Sequence, residues 1–159
     1  MVQPLPESCL ARRRVFTTRP ELLGTFGMVA STHWLASAVG MSILERGGNA
    51  FDAAVAAGFT LQVVEPHLNG PGGEVPIIFY SAERKRVQVV NGQGFAPQAA
   101  TIEHFKGLGL DEIPGDGLLP ACVPGAFGGW MLLLEELGTM HLADVLEPAL
   151  GYAKNGWPV

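Results

Sequence analysis

The run from Ala50 to about Val64, AFDAAVAAGFTLQVV, constrains the fold more than any other part of this sequence. Read at helical spacing it is apolar on nearly every side, and a helix apolar all round is buried all round. Such a helix has to lie between layers, which suits helices packed on sheets. Its start is also legible. Asn49 offers a side-chain oxygen to the first free N–H groups. Asp52, three residues on, either closes a capping box or meets the positive end of the helix dipole.

Shorter signals flank this helix. Trp34, Leu35, Ala38, Val39, Ser42 and Ile43 recur at helical spacing. Ser31 or Thr32 is the expected cap, and Gly47-Gly48 the stop, with one glycine in the left-handed C′ position. Pro66 ends the alanine-rich helix. Pro76–Tyr80 and Arg86–Val90 read as strands joined by a polar connection of hairpin length, so they are expected as antiparallel neighbours. Asn91-Gly92-Gln93-Gly94 reads as a turn. Thr101 caps a short helix from Ile102 to about Gly107, and residues 107–125 read as loop. Pro124 stands near the first position of a helix reaching about Leu137. Leu142 to Lys154 reads as a last helix with a kink at Pro148. A lone hairpin is marginal and cannot cover this much helix. The expectation is part of a larger α/β layered unit whose remaining strands lie elsewhere.

Composition points the same way. Apolar residues make up 48% of the 159 positions and charged residues 16%. That is few charges for a small free-standing domain, whose surface is large for its volume. Some surface is therefore expected to be buried against something else. The net charge of −5 argues against a nucleic-acid partner, which needs a basic field. Arg12-Arg13-Arg14 is read as part of a solvated N-terminal arm. Cys9 and Cys122 form neither a disulfide framework nor a zinc pattern, and Cys122 is expected as a small core residue. His33, His67, His104 and His141 assemble no Ser-His-Asp set, and His67 is read as a hydrogen-bonded structural residue. No metal and no cofactor is expected. The first residues lack the uninterrupted apolar stretch of a signal peptide, and no segment approaches the length of a membrane span. The expectation is a soluble, cytoplasmic protein with no membrane partner.

Between the buried helix and the first strand lies VVEPHLNGPGGEVPIIFY, residues 63–80, with three glycines and three prolines. A turn between buried elements needs fewer. Two readings are open. One is a tight connection in which backbone passes close to backbone. The other is a loop that serves a site. It is not a phosphate loop, since it runs from helix to strand and lacks Gly-Lys-Ser/Thr. Gly92-Gln93-Gly94 does follow a strand. There, however, Pro97 stands where a dinucleotide fingerprint needs a third small residue, and no acidic residue ends a second strand downstream.

Several segments, in order, resemble the N-terminal part of the gamma-glutamyltranspeptidase family. They are Gly27-Met28-Val29-Ala30-Ser31, then the stretch Leu44–Ala57 with Arg46-Gly47-Gly48-Asn49-Ala50 at its centre, then Val64-Glu65-Pro66-His67 with Gly70-x-Gly72-Gly73. Cys122-Val123-Pro124-Gly125-Ala126 resembles the family's V-P-G segment. Leu146-Glu147-Pro148-Ala149 and Asn155-Gly156-Trp157-Pro158-Val159 resemble two more. The likeness covers about residues 24–159, so 1–26 are read as an arm and 27–159 as a partial family domain.

The resemblance implies part of a four-layer αββα N-terminal-nucleophile hydrolase sandwich, incomplete in this chain. It implies a precursor that cuts itself in two, with the new N-terminal threonine of the second piece as nucleophile and its own amine as base. None of the threonines here matches that segment, so no catalytic residue is assigned and this polypeptide alone is expected to be inactive. The partners implied are a small-molecule gamma-glutamyl or acyl-amide substrate and the nucleophile-bearing C-terminal part of the same precursor. Asn69, Gly70, Gly72 and Gly73 are the expected pocket loop. Family members hold the substrate's α-carboxylate with an arginine before an x-x-Ala-Pro run. Here that run is Gln93-Gly94-Phe95-Ala96-Pro97, so Gln93 is the expected substrate-binding residue, and a neutral one. Arg84 and Arg86 are the alternative cations. A related acylase with a non-glutamyl substrate fits as well. A non-catalytic binding or scaffold module, or a pseudogene product using the same half-fold, is the alternative from another class.

Overall fold

The computed structural model of the protein describes residues 21–158. The expectations for Cys9 and Arg12–Arg14 lie outside those residues. The elements are α1 (Trp34–Glu45), α2 (Ala50–Val64), β1 (Val75–Ser81), β2 (Arg86–Gly92), α3 (Ile102–Gly107), α4 (Ala126–Leu137) and α5 (Leu142–Asn155).

Helix α1 starts later than Ser31 or Thr32 would set it. The cap is His33, whose Nδ1 accepts from the Leu35 N–H at 3.2 Å. The two hydroxyls are engaged elsewhere. Ser31 Oγ donates to the His33 carbonyl at 2.7 Å, and Thr32 Oγ1 donates to Glu65, tying the entry of α1 to the end of α2. The inward stripe is Leu35, Ala36, Val39, Gly40 and Ile43, whereas Trp34 and Ala38 are exposed. Gly40 decides this, because a Cβ there would sit 2.8 Å from Val29 Cγ1 and 3.3 Å from the Ala53 carbonyl of α2. The helix ends in a Schellman motif. Gly47 has φ 93°, its N–H donates to Leu44 O at 3.1 Å, and the Gly48 N–H donates to Ile43 O at 3.0 Å.

Helix α2 opens with a full capping box. Asn49 Oδ1 accepts from the N–H groups of Phe51 and Asp52, at 2.8 and 3.0 Å, while Asp52 Oδ2 accepts from the Asn49 N–H at 2.8 Å. Helices α1, α4 and α5 pack around α2. Val39, Ile43, Val55, Phe59, Leu133 and Val145 form the centre of the core. The helix is thus enclosed chiefly by other helices. Its contact with the sheet includes Phe51, which meets Phe79 edge-on with ring centroids 5.1 Å apart. Burial on every side is not reached: Ala54, Leu61 and Gln62 are half-buried and face a cavity.

Strands β1 and β2 pair antiparallel, in register from Val75↔Gly92 to Ser81↔Arg86. Asn91 and Gly92 therefore belong to the strand, and the turn begins at Gln93. Both strands pack on α4. Alternation along the hairpin turns Val75, Ile77, Phe79 and Val90 inward. On the opposite face the register pairs Ile78↔Val89 and Tyr80↔Val87 leave four apolar side chains 61–75% exposed. The surplus apolar surface anticipated from the low charge content includes this face.

Pro124 lies outside α4, whose N-cap is Gly125. Helix α5 runs from Leu142 to Asn155 with Pro148 inside it. Cys122 is not a core residue. It is a free, exposed thiol on the connection 107–125, where little covers the chain. No helix among the described residues is long and apolar enough to cross a membrane.

Candidate functional site

The glycine-rich loop is built on the end of α2. The N–H groups of Leu68 and Asn69 both donate back to Glu65 O at 3.0 Å. Pro71 then sits in a turn closed by the Gly73 N–H and the Gly70 carbonyl at 3.1 Å. Gly73 also reaches across the molecule. Its carbonyl accepts from the N–H groups of Gly125 and Ala126, at 3.1 and 3.0 Å. Helix α4 needs this, because its N-cap is a glycine with no side-chain oxygen, and its first N–H groups have no partner within the helix.

The other two glycines have no such task. A Cβ at Gly70 or Gly72 would meet nothing within 4 Å, and neither takes a positive φ. The contacts of the described residues therefore do not explain them as a tight connection. Alanine at either position is expected to change stability by no more than about 0.5 kcal/mol, as for other surface substitutions. Thermal unfolding of the two variants checks this, and a loss several times larger would show a packing role.

Asn69, Gly70 and Gly73 line a cavity of about 590 Å³ together with Ala57, Leu61 and Gln62 of α2, Trp130 of α4 and the segment Met28–Ser31. That volume is in the range of small-molecule sites. Gly72 is exposed outside the cavity lining. Gln93 lines a second, smaller cavity of about 240 Å³, with Gly94, Phe95 and Gly125. The structure thus places the loop and Gln93 in two cavities on either side of the start of α4. Ala126 borders the first and Gly125 the second.

Gln93 is exposed, and its N–H donates to Asn91 Oδ1 at 3.2 Å. Arg86 pairs with Ser81 at the far end of the hairpin, about 20 Å along the strand from Gln93 at the usual rise per residue. Arg84 lies beyond it, near Gln88. Neither arginine reaches position 93.

Most of the remaining polar candidates are engaged within the fold. His67, read as a hydrogen-bonded structural residue, is exposed. Thr60 is buried and donates to Ala56 O at 2.8 Å. Thr101 caps α3 through its Oγ1, 3.1 Å from the His104 N–H. Thr139 donates to Asp52 at 2.7 Å, and Thr32 donates to Glu65. Among the described residues no group of three His, Cys, Asp or Glu side chains could hold a metal ion.

Sequence reasoning missed the seam beside Gln93. The Val123 N–H donates to Phe95 O at 2.9 Å, and Gly92, Gly94, Gly125 and Gly129 meet along it with no room for side chains. The signal was present in the glycines of two segments some thirty residues apart, but nothing local says that they touch.

A helical layer around α2 and a hairpin carried on α4, with glycine segments converging on one helix end, define a fragment of a layered α/β fold. Residues 36–159 match the family model for gamma-glutamyltranspeptidase, and the chain belongs to that family. It is similar to the glutathione hydrolase-like YwrD proenzyme of Bacillus subtilis, 47% identical over 139 residues that cover 87% of this chain and 26% of the relative. Among solved structures it is similar to LmbA2991T421A, at 64% identity and a TM-score of 0.82, over 87% of this chain and 24% of the other. It is also similar to the cephalosporin acylase from Bacillus halodurans, at 36% identity and a TM-score of 0.84, over 100% of this chain and 28% of the other. The α/β class and N-terminal-nucleophile hydrolase relationship expected from the sequence are those of the family. The chain spans about a quarter of the length of the curated relatives it matches.

Proposed function

We propose that residues 27–159 are the N-terminal portion of an enzyme that hydrolyses or transfers an acyl amide, and that its acyl group needs no cation at position 93. The nucleophile would be an N-terminal threonine from another part of the same precursor. That part and a small-molecule amide are the partners. Gln93 carries the reading. It stands where the family places an arginine, at the mouth of a cavity, with Arg84 and Arg86 at the other end of the hairpin. A planar guanidinium grips a carboxylate with two charged hydrogen bonds, whereas an amide offers only neutral ones. Likeness to a cephalosporin acylase favours an acyl group other than gamma-glutamyl, while likeness to a glutathione hydrolase-like relative keeps the reaction within amide hydrolysis. Asn69, Gly70, Gly72 and Gly73 complete the contribution of this chain. With no neighbour of their own at Gly70 and Gly72, they leave backbone free to approach the nucleophile-bearing part and the substrate.

The test is Gln93→Arg in the full-length protein, with kcat/KM measured on a gamma-glutamyl anilide and a simple acyl anilide. The ratio is expected to move toward the gamma-glutamyl substrate by about tenfold, the difference between a charged and a neutral hydrogen-bonded pair. Tm should hold, because the side chain is exposed. An unchanged ratio together with a large loss of Tm would make Gln93 a structural residue and overturn the reading.

A further inference from the structure

We infer that Gly125 is a positioning residue for Gln93, acting as a backbone stop against which the turn after β2 rests. The inference rests on the reading of Gln93 given above. Gly125 has φ −112°, a conformation open to any residue, so its glycine is required by space and not by backbone angle. A Cβ there would press on the Gly92 carbonyl oxygen, and would lie 2.7 Å from the carbonyl carbon of Gln93 and 2.8 Å from the Gly94 nitrogen. All three contacts are backbone atoms, which cannot rotate away as a side chain can.

Neither side of this contact is free to recede. Gly125 is tethered from behind, since its N–H and that of Ala126 share the Gly73 carbonyl. The turn is tethered at both ends. Gly92 is paired with Val75 in the hairpin, and Phe95 O accepts from the Val123 N–H at 2.9 Å. Gly94 is seated just as closely, with a Cβ there running into the Val123 carbonyl. The backbone of Gln93 is thus clamped between a strand end and the start of α4, while its side chain stays free. The position of that side chain relative to substrate follows from how far Gly125 lets the turn approach.

The test uses the full-length protein and the same two anilides. Gly125→Ala is expected to change the ratio of their kcat/KM values by about tenfold, mostly through KM, as small misplacements of a binding group do. The same substitution in a Gln93→Ala background should leave the ratio where Gln93→Ala put it. Gly129→Ala is the gentler variant if Gly125→Ala fails to fold. Its Cβ would lie 2.8 Å from Val75 Cγ1, a side chain that can give way, and 3.1 Å from Gly92 Cα, and it should shift the ratio in the same direction by less. A loss of Tm with no change of ratio in either variant, or the same change with and without Gln93, would overturn the inference. If Gln93→Ala itself leaves the ratio unchanged, the reading of Gln93 fails and this inference with it. If only the glycine variants are silent, the role of Gln93 stands and Gly125 is a packing residue.

Discussion

Asp52→Ala is expected to destabilise the protein by about 3–5 kcal/mol, because one buried carboxylate serves several donors that would all lose their acceptor. Asp52 is fully buried, at 0% exposure. It accepts from the Asn49 N–H within the capping box at 2.8 Å. It also accepts from the Thr139 N–H at 2.9 Å, the Thr139 hydroxyl at 2.7 Å and the Met140 N–H at 3.2 Å. Asn49 adds a parallel link, donating from Nδ2 to Leu137 O at 2.6 Å. The start of α2 is thereby fastened to the chain between α4 and α5. Burial pushes the Asp52 carboxyl up. The bonds from the Thr139 hydroxyl and from the N–H groups of Asn49, Thr139 and Met140 outweigh it, and hold the group below its ordinary 3.8. A carboxylate depressed by folding contributes stability that is fully present above the ordinary value. It is lost as pH falls through the lower, folded value. Denaturant midpoints measured from neutral pH down to about pH 2 should fall more steeply below pH ~4 in the wild type than in Asp52→Asn, which has no proton to take up. Parallel curves for the two proteins would show that folding does not lower the pKa of this carboxyl.

Gly94→Ala should be the most damaging of the glycine substitutions, at about 3 kcal/mol, the upper range for forcing atoms into filled space. Its Cβ would collide with the Val123 carbonyl oxygen and lie 2.9 Å from the Val123 carbonyl carbon. The Val123–Phe95 hydrogen bond beside it would have to open. Gly128→Ala provides the opposite sign. It lies inside α4, exposed, with nothing within 4 Å of its Cβ position. There alanine should add about 0.5–1 kcal/mol by lowering the entropy lost on helix formation. Unfolding midpoints for both variants decide between space and conformation as the reason for each glycine. A neutral Gly94→Ala would mean that the seam beside Gln93 is loose.

The local parts of the fold were legible because their causes lie within a few residues. The Asn49–Asp52 capping box, the Gly47-Gly48 stop, the Thr101 cap and the hairpin pairing each follow from neighbouring side chains, and each is found. The errors have one pattern. Ser31 and Thr32 were plausible caps, but their hydroxyls are used by His33 and by Glu65, the latter 33 residues away. Trp34 and Ala38 fit the helical period of α1, yet Gly40 draws α2 onto the adjacent stripe instead. Cys122 looked like core from its apolar neighbours, but hydropathy does not say whether anything lies on top of a segment.

The candidate site divides along the same line. Its chemistry is sequence-level: Gln93 at the position where the family resemblance implies an arginine, and glycine density in residues 70–73, are readable without coordinates. Its geometry is tertiary. Only the folded chain brings the Gly73 carbonyl to the start of α4, sets Val123 beside Phe95, and puts Arg84 and Arg86 at the wrong end of the hairpin. Only there does Gly73 separate from Gly70 and Gly72, one glycine spent on capping a helix and two with no neighbour to explain them. Propensity, period and capping are short-range forces and fix what each segment becomes. Contacts between residues 52 and 139, 73 and 125, or 94 and 123 depend on the path of the whole chain, and the packing of α1, α4 and α5 around α2 decides them.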